Sequence, residues 1–169
     1  LTKETYMNDT LVLVVSDSHG RNDNLERAIL QVRPDIIYHL GDAQGYENEL
    51  RTGCGCPLFY VRGNCDWGSD APVYQVTRLG SHRIFLTHGD RYGVKYSNAE
   101  LITAAEEHDC DVAIYGHTHW PELVKADGIT ILNPGSISLP RQPGRIPTFA
   151  TIDVDKNGEL HFTINEMKP

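Results

Sequence analysis

The feature that most constrains this chain is a series of five apolar segments, each followed at once by a short polar loop. The first segment, residues 11–15, is an uninterrupted aliphatic run of the kind found in a strand that is covered on both faces. Because ligands gather at the carboxyl ends of strands in an open α/β sheet, we expect the loop side chains to converge. The metal-ligand types in these loops are, in chain order, Asp17, His19, Asp42, Asn64, His88, His117 and His119.

The first half of the chain alternates predicted strands with predicted helices. Asn22 is placed to cap a helix that ends before Pro34, since proline disfavours helical backbone in the residue that precedes it. This alternation is typical of parallel strands joined by right-handed crossovers. The other predicted elements of this half are strands over residues 11–15, 35–40 and 57–61 and a short helix over residues 46–51.

The second half is dominated by predicted strands, the first two of which form a hairpin that turns at Gly80. Ser97 and Glu100 have the spacing of a capping box, which predicts a helix to about residue 108. The predicted strands cover residues 73–79, 83–87, 112–115, 122–125, 130–132, 148–154 and 160–164. We therefore expect one domain over residues 7–169, α/β in its first half and largely β in its second, with residues 1–6 as an N-terminal extension or a cloning remnant.

The composition narrows the classes of partner. With 23 acidic and 15 basic residues among 169, the formal net charge is −8. Proteins that hold nucleic acid need a basic face, so this balance argues against a nucleic-acid-binding surface. It leaves a small substrate, captured locally, as the expected partner.

The spacing of the cysteines favours a reducing compartment, and the hydropathy of the chain bears on export and membrane insertion. The four thiols, Cys54, Cys56, Cys65 and Cys110, lack the paired spacing of a zinc site, so free thiols are the preferred interpretation. No apolar stretch is long enough for a membrane span, and the polar start has no signal-peptide core. We expect a cytoplasmic protein that does not contact a membrane.

The seven ligand types also limit the metal. Four imidazoles, two carboxylates and one amide oxygen are more than a single tetrahedral ion accepts, and they suit two adjacent ions that share a bridging carboxylate. Nitrogen and oxygen ligands without thiolate favour Mn, Fe, Co, Ni or Zn over calcium or an iron–sulfur centre. Two such ions would clamp a phosphoryl group and generate hydroxide at neutral pH. His39 could be a core histidine or a residue that orients a ligand, and His82, His108 and His161 are interpreted as structural.

In order, the motifs resemble those of the calcineurin-like metallophosphoesterases. They are Asp17-Ser18-His19, Gly41-Asp42, Gly63-Asn64-Cys65-Asp66, Thr87-His88-Gly89 and Gly116-His117-Thr118-His119. The later Asn133-Pro134-Gly135-Ser136 resembles the small bacterial and archaeal phosphodiesterase branch, the YfcE type. The resemblance implies a four-layer αββα sandwich, with two mixed sheets flanked by helices and a dinuclear site at one edge.

The resemblance also implies roles for the ligands. Asp17, His19 and His119 would hold the first ion, Asp42 would bridge, and Asn64, His88 and His117 would complete the second. Mn is the preferred metal, with Ni, Co, Fe, Zn or Mg as alternatives. The implied reaction is in-line attack of a hydroxide bound to both ions on the phosphorus of a small phosphodiester, with Asp42, Asn64 and His88 around that hydroxide. Asn64 would also contact the phosphoryl group.

One position departs from the wider superfamily. Cys65 stands where many members have a histidine that assists the leaving group, and a thiol is a poor general acid at neutral pH. Cys65 and Asp66 are therefore tentative catalytic residues, and the small branch itself commonly has this cysteine. Arg21 is a tentative substrate contact. Trp67, Tyr92 and Arg141 also lie near motifs and are, with Arg21, candidate specificity residues, although a solvated surface role is at least as well supported for any one of the four.

Two other functions stay open. The eukaryotic retromer subunit of this fold is mainly an assembly scaffold whose site is altered at several ligands, whereas this chain keeps all seven ligand types. A phosphomonoesterase or nucleotidase would use the same metal centre, because specificity lies in the surrounding loops. A homo-oligomer is also possible.

Overall fold

The computed structural model describes residues 8–169, so the prediction for residues 1–6 lies outside the described residues. In chain order the strands and helices are β1 (Thr10–Val15), α1 (Asp23–Val32), β2 (Ile36–His39), α2 (Glu47–Gly53), β3 (Leu58–Tyr60), β4 (Tyr74–Leu79), β5 (His82–Thr87), α3 (Ala99–Glu107), β6 (Val112–Ile114), β7 (Glu122–Ala126), β8 (Ile129–Asn133), β9 (Thr148–Val154) and β10 (Leu160–Glu166).

The strands form two mixed sheets of five. The first has the order β10-β9-β1-β2-β3, in which β1, β2 and β3 are parallel and β9 is antiparallel to both of its neighbours. The second has the order β4-β5-β6-β8-β7, in which β5, β6 and β8 are parallel and the edge strands β4 and β7 are antiparallel. The predicted hairpin, β4 with β5, is confirmed.

Successive side chains of a strand point to opposite faces of its sheet, and the two faces pack in different layers of the molecule. In β1, Val12 and Val14 enter an apolar cluster shared with the second sheet, whereas Leu13 and Val15 belong to the cluster that contains α1 and α2 residues. In β5, Phe85 packs with residues of α3, and its neighbours face the first sheet. The result is the expected four-layer αββα sandwich, in which two sheets share the central core and helices cover the outer faces.

Helix starts differ in detail from the sequence prediction. The capping box is wrong: Asn98, not Ser97, precedes α3, and Ser97 Oγ instead accepts a hydrogen bond from Ala99 N two residues on, at 3.3 Å. Asn22 precedes α1 as predicted, but its side chain makes no capping hydrogen bond. Among residues 8–169, no helix combines the length and the apolar character that a membrane span requires.

Candidate metal centre

Backbone hydrogen bonds bring the loops after the parallel strands to one edge of the sandwich. Asp17 N donates to Gly41 O at 3.0 Å, and His19 N donates to Asp42 O at 2.8 Å, which joins the loops after β1 and β2. In the second sheet, Gly116 N donates to the carbonyl oxygen of His88 at 2.9 Å. The two sheets then meet where His117 N donates to the Asp17 carboxylate at 3.0 Å. The loop after β3 joins them where Cys65 N donates to Asp42 Oδ1 at 2.8 Å, so the five loops converge as predicted.

Five of the seven candidate ligands have left-handed backbone, which non-glycine residues rarely adopt. Their φ angles are 55° for Asp17, 49° for His19, 61° for Asp42, 68° for His117 and 59° for His119. Such residues cost about 1–3 kcal/mol each and persist where the surrounding structure holds them. The turns at these five positions aim the side chains at a common centre, which favours a functional role for them.

The first group of ligands surrounds one oxygen of Asp17. Asp17 Oδ1 lies 3.3 Å from His119 Nε2 and 3.6 Å from His19 Nε2, and these two nitrogens are 3.2 Å apart. Three ligand atoms thus lie close enough together to bind a single cation. This trio is the set that the sequence resemblance assigns to the first ion.

Asp17 Oδ1 is the most informative atom of the site. Asp17 is fully buried, and its Oδ1 makes no hydrogen bond, whereas Oδ2 accepts from Ser16 Oγ at 2.6 Å and from His117 N. Burial alone would raise the pKa of Asp17, but the imidazoles of His119 and His19 outweigh it and hold the pKa well below its ordinary value. A buried carboxylate oxygen without a hydrogen-bond donor is costly in an apo protein, and a cation would satisfy it.

The second group is centred on the amide oxygen of Asn64. Asn64 Oδ1 lies 3.0 Å from His88 Nε2 and 3.1 Å from His117 Nδ1, and these two ring nitrogens are 3.2 Å apart. His88 is fully buried, whereas Asn64 is exposed. Burial, followed by the positive charges of His88 and Lys95, lowers the pKa of His117, so its ring favours the neutral form that can bind a metal.

Asp42 lies between the two groups. Its Oδ2 is 3.2 Å from His88 Nε2 and 3.7 Å from His19 Nε2, and its Oδ1 accepts a hydrogen bond from Cys65 N at 2.8 Å. Burial opposes the carboxylate form, but the hydrogen bond and charge of His88 and the Cys65 amide lower the pKa of Asp42 overall. The oxygen that faces both groups occupies the position expected of a bridging ligand.

Backbone carbonyls fix which ring nitrogen can bind a metal. Nδ1 of His88 lies 2.6 Å from Leu40 O, and Nδ1 of His119 lies 2.7 Å from Leu139 O. Because a carbonyl oxygen only accepts, each Nδ1 carries a proton, which leaves Nε2 as the ring nitrogen that faces the centre and can bind a metal. The arrangement suits nitrogen ligands for a transition-metal ion.

Sequence reasoning did not identify several residues that hold the ligands in place. Ser136 Oγ donates to Asp17 O at 2.8 Å, and Ser138 Oγ donates to Ser18 O at 2.8 Å. Asn133 Nδ2 donates at 3.0 Å to both Gly116 O and Thr118 Oγ1, so it fixes the loop between the last two histidines. The motif of residues 133–136 was a signal for these contacts, although it did not reveal their partners.

His39, whose role the sequence left open, connects the loops that carry the ligands. Its Nδ1 accepts from Gly41 N at 3.1 Å, so its Nε2 carries the proton and donates to Ser18 Oγ at 3.1 Å. Burial is the main reason that the pKa of His39 falls to about 4. His39 is therefore a neutral residue that positions the loops after β1 and β2.

The tentative catalytic and substrate residues occupy different environments. Asp66 accepts hydrogen bonds from Asp42 N, Gly63 N, Gln44 N and the Tyr60 hydroxyl, an arrangement that favours a positioning role over proton donation. Cys65 lies within reach of His19 and Asp42, and burial, followed by the charge of Asp42, raises its pKa, so its thiol stays protonated at neutral pH.

The four residues considered for substrate contact lie in different parts of the structure. Arg21 is exposed beside the His19 turn, where its backbone N donates to Ser18 O at 2.9 Å. Trp67 is 90% exposed on the loop after Asn64. The Tyr92 ring packs edge-on against Phe85, as part of the apolar cluster around α3. Arg141 lines a cavity beside the histidine loop.

The donor set fits divalent transition-metal ions. Its ligand atoms are imidazole nitrogens, carboxylate oxygens and one amide oxygen, the mixture that Mn, Fe, Co, Ni and Zn accept. The buried Asp17 Oδ1 adds a carboxylate oxygen that lacks a hydrogen bond. The residues therefore fit a metal site, and their two groups meet at Asp42.

Comparison with known proteins agrees with this chemistry. The model of the calcineurin-like phosphoesterase superfamily domain matches residues 11–157. A probable metallophosphoesterase of Mycoplasma pneumoniae is 32% identical, over 87% of this chain and 91% of that protein. Phosphodiesterase YfcE of Escherichia coli K12 is 38% identical, over 85% of this chain and 88% of that protein.

Solved structures show the same fold. A predicted phosphoesterase from Streptococcus pneumoniae superposes with a TM-score of 0.76 at 28% identity, over 94% of this chain and 98% of that chain. Vacuolar Protein Sorting 29 from Cryptosporidium parvum superposes with a TM-score of 0.75 at 20% identity, over 95% and 98% of the two chains. At that identity, the second likeness shows the fold alone.

Proposed function

Because the chain belongs to the calcineurin-like phosphoesterase superfamily, we propose that it hydrolyses small phosphodiesters with the help of two divalent metal ions, preferably Mn²⁺. The observation that carries the proposal is the buried Asp17 Oδ1, which lacks a hydrogen bond although three histidine Nε2 atoms lie within 3.8 Å of it. A carboxylate oxygen faced by ring nitrogens is an environment that a cation stabilises.

The two groups of ligands indicate which ion each residue would hold. Asp17, His19 and His119 would hold one ion, Asn64, His88 and His117 would hold the other, and Asp42 would contact both. When bound, the ions supply Lewis acidity and lower the pKa of water enough to provide a nucleophile at neutral pH. This is the chemistry that in-line displacement at phosphorus requires.

The chain's own groups orient the substrate and set the local charge. Asn64 would hold its ion through a neutral amide, which adds no repulsion toward a phosphate, and its Nδ2 can donate to a phosphoryl oxygen. The raised pKa of the Cys65 thiol makes it a weak proton donor. Substrates with good leaving groups should therefore react fastest, with water or the substrate itself as the alternative proton source.

The charge of the whole protein favours a small substrate. A net charge of −8 offers a long polyanion little attraction, whereas bound cations would dominate the potential at the site itself. Nucleic acid is therefore not the proposed substrate. All four cysteines are free thiols, which fits a reducing compartment, and we propose the cytoplasm.

The test is to remove the metal, restore it and compare two esters. The protein is treated with a chelator and then supplied with Mn²⁺, Ni²⁺, Co²⁺, Zn²⁺ or Mg²⁺, and hydrolysis of bis(p-nitrophenyl) phosphate is compared with that of p-nitrophenyl phosphate. We expect activity to disappear on chelation, to return best with Mn²⁺ and to be higher on the diester. Asp42→Asn should lose activity together with bound metal, whereas Asp153→Asn, the same change at an exposed position, should keep both.

Other outcomes select the alternative functions. Preferential cleavage of the monoester would favour a phosphomonoesterase or nucleotidase. Two bound ions without cleavage of either ester would favour a scaffold, the alternative that the Vacuolar Protein Sorting 29 likeness raises. Full activity in Asp42→Asn protein that binds no metal would contradict the mechanism.

A further inference from the structure

A cavity of about 410 Å³ opens beside the candidate metal centre. Thr118, which lies between His117 and His119 in the chain, forms part of its wall, so the cavity adjoins the loop that carries these two histidines. This volume is within the range of cavities that bind small molecules. The residues that define its chemistry are Lys95, Tyr115, Thr118, Trp120, Glu122 and Arg141.

The cavity wall is tied to the ligand loop by hydrogen bonds. Arg141 N donates to the carbonyl oxygen of His119 at 3.0 Å, and Trp120 N donates to Thr118 Oγ1 at 3.2 Å. Asn133 Nδ2 also donates to Thr118 Oγ1, at 3.0 Å. Because the same loop carries the histidines and the cavity wall, a group in the cavity would have a fixed position relative to the reacting phosphorus.

Aromatic surface is available to a planar ligand. The Trp120 side chain lines the cavity and is 51% exposed, although burial of an indole is favourable. Tyr115, a second aromatic residue of the wall, is buried, and its hydroxyl donates to Glu122 Oε1 at 2.9 Å. An exposed indole beside a catalytic centre is a stacking surface for a heteroaromatic base.

The cavity is also locally cationic in an acidic protein. Lys95 and Arg141 provide two positive charges, whereas Glu122 provides one negative charge, although the whole chain carries −8. Asn98 Nδ2 and the Tyr115 hydroxyl both donate to Glu122 Oε1, which holds that carboxylate in place. Two cationic side chains near an indole are suited to binding a nucleoside that carries a phosphate.

We propose that this cavity binds the arm of the phosphodiester that stays on phosphorus, and that this arm is a nucleoside bearing a second phosphate. The base stacks on Trp120, and the second phosphate pairs with Lys95 and Arg141. The proposal rests on the proposed diesterase function and adds a substrate class to it: compounds of dinucleotide size, rather than simple alkyl or aryl diesters.

Three esters with the same leaving group test this assignment. They are methyl p-nitrophenyl phosphate, thymidine 5′-(p-nitrophenyl phosphate) and the 3′-phosphorylated form of the second. Each reacts with water to release p-nitrophenol and leave a phosphate monoester, so the compounds differ only in the arm that stays on phosphorus. We expect kcat/KM of the wild-type protein to increase in that order.

The variants separate the two contacts. Trp120→Ala should lower kcat/KM for both thymidine esters about 10-fold and leave the methyl ester within about twofold, whereas Trp120→Phe should retain most of the preference. Lys95→Gln and Arg141→Gln should each reduce the advantage of the 3′-phosphate by about 3- to 10-fold. An unchanged methyl ester rate shows that the variant is folded and holds metal.

Two control variants match the losses of an aromatic ring and of a charge. Tyr96 is 94% exposed and adjoins Lys95 in the chain, and Lys125 is an exposed cation on β7; neither lines the cavity. Tyr96→Ala and Lys125→Gln should leave the ratios between the three esters unchanged. Equal preferences in Trp120→Ala and wild-type protein would overturn the proposal.

Calorimetry separates failure of this proposal from failure of the proposed function. Thymidine 3′,5′-bisphosphate is titrated into wild-type protein supplied with Mn²⁺, and into the Trp120→Ala and Arg141→Gln variants. Binding that each substitution weakens about 3-fold or more would support the cavity assignment even if the protein cleaved no ester. Undetectable binding to the wild-type protein, or equal binding to all three proteins, would overturn it.

Discussion

Within residues 8–169, the candidate centre brings its ligand atoms close enough together for a metal site, whereas the surface cluster of His82, Asp111 and Glu159 does not. At the surface, His82 Nδ1 lies 2.6 Å from an Asp111 oxygen, and His82 Nε2 lies 3.4 Å from a Glu159 oxygen. At the candidate centre, Asp17 Oδ1 is buried without a hydrogen bond, and the histidine nitrogens around it point inward.

The two clusters differ in the hydrogen-bond acceptors that face the ring nitrogens. Both nitrogens of His82 face carboxylates, so the ring is satisfied as a cation. In His88 and His119, Nδ1 donates to a backbone carbonyl, so Nε2 is the ring nitrogen that faces the centre. The same residue types thus form an ion pair or a metal site according to the groups that the fold places around them.

The largest expected effect comes from removing the buried carboxylate charge of the candidate centre. Asp17→Asn keeps the shape of the side chain but replaces a carboxylate oxygen beside three imidazoles with a neutral amide. We expect metal affinity and diesterase activity to fall by more than about 100-fold, since even residues that only support ligands cost 10- to 100-fold. Metal content and kcat measured on the purified variant check this.

Asp111→Asn is the matched change in the surface cluster. Its carboxylate pairs with His82 and accepts from Arg83 N, away from the loops that carry the ligands. Metal content and activity should match those of the wild-type protein. Comparable losses in both variants would mean that general charge, rather than ligand geometry, explains the effect.

His39 gives the second comparison, because it is a buried histidine with neither a carboxylate partner nor a place in the ligand set. Burial lowers its pKa from 6.5 to about 4, so the folded protein resists a proton that the unfolded chain accepts. Its contribution to the free energy of unfolding is complete above pH 6.5 and is lost as the pH falls toward 4. The loss amounts to about 3 kcal/mol.

His39→Gln removes this titration. Urea unfolding of metal-free wild-type and variant protein is measured at several pH values between 7 and 4, with chelator in both. At pH 7 the variant should be less stable than the wild-type protein, because the hydrogen bonds of His39 with Ser18 and Gly41 are lost. On acidification, its free energy of unfolding should decline less than that of the wild-type protein. Parallel pH profiles would contradict the assignment of His39 as a neutral buried residue.

The sequence predicted the parts of this site that depend on local pattern. Apolar runs followed by Asp, Asn or His located the ends of the parallel strands, and parallel strands necessarily bring those ends to one edge. That argument placed Asp17, Asp42 and Asn64, which follow the three parallel strands of the first sheet, together without any knowledge of the contacts between them. The hairpin at Gly80 followed from turn chemistry in the same way.

Contacts between distant segments were beyond sequence reasoning. Ser136 donates to the Asp17 backbone across 119 positions in the chain, and no local pattern pairs those residues. The choice between Nδ1 and Nε2 depends on carbonyls such as Leu139 O, which only the fold brings near His119. The capping box failed for a related reason: the Asn98 side chain donates to Glu122 of β7, a tertiary contact at the start of α3.

The smallest expected effect belongs to the surface cluster, and its sign is opposite to that of His39. Burial opposes the charged ring, but the hydrogen bonds and charges of Asp111 and Glu159 outweigh it and raise the pKa of His82. A raised pKa means that the stabilisation is complete below pH 6.5 and is lost as the pH rises through the folded value. Relative to wild-type protein, His82→Gln should therefore lose less than about 1 kcal/mol at pH 6 and almost nothing at pH 9. Urea unfolding at both pH values checks this, and 1 M salt should shrink the difference at pH 6, because exposed charges are screened. A difference that grows with pH would show that His82 contributes as a neutral residue, as His39 does.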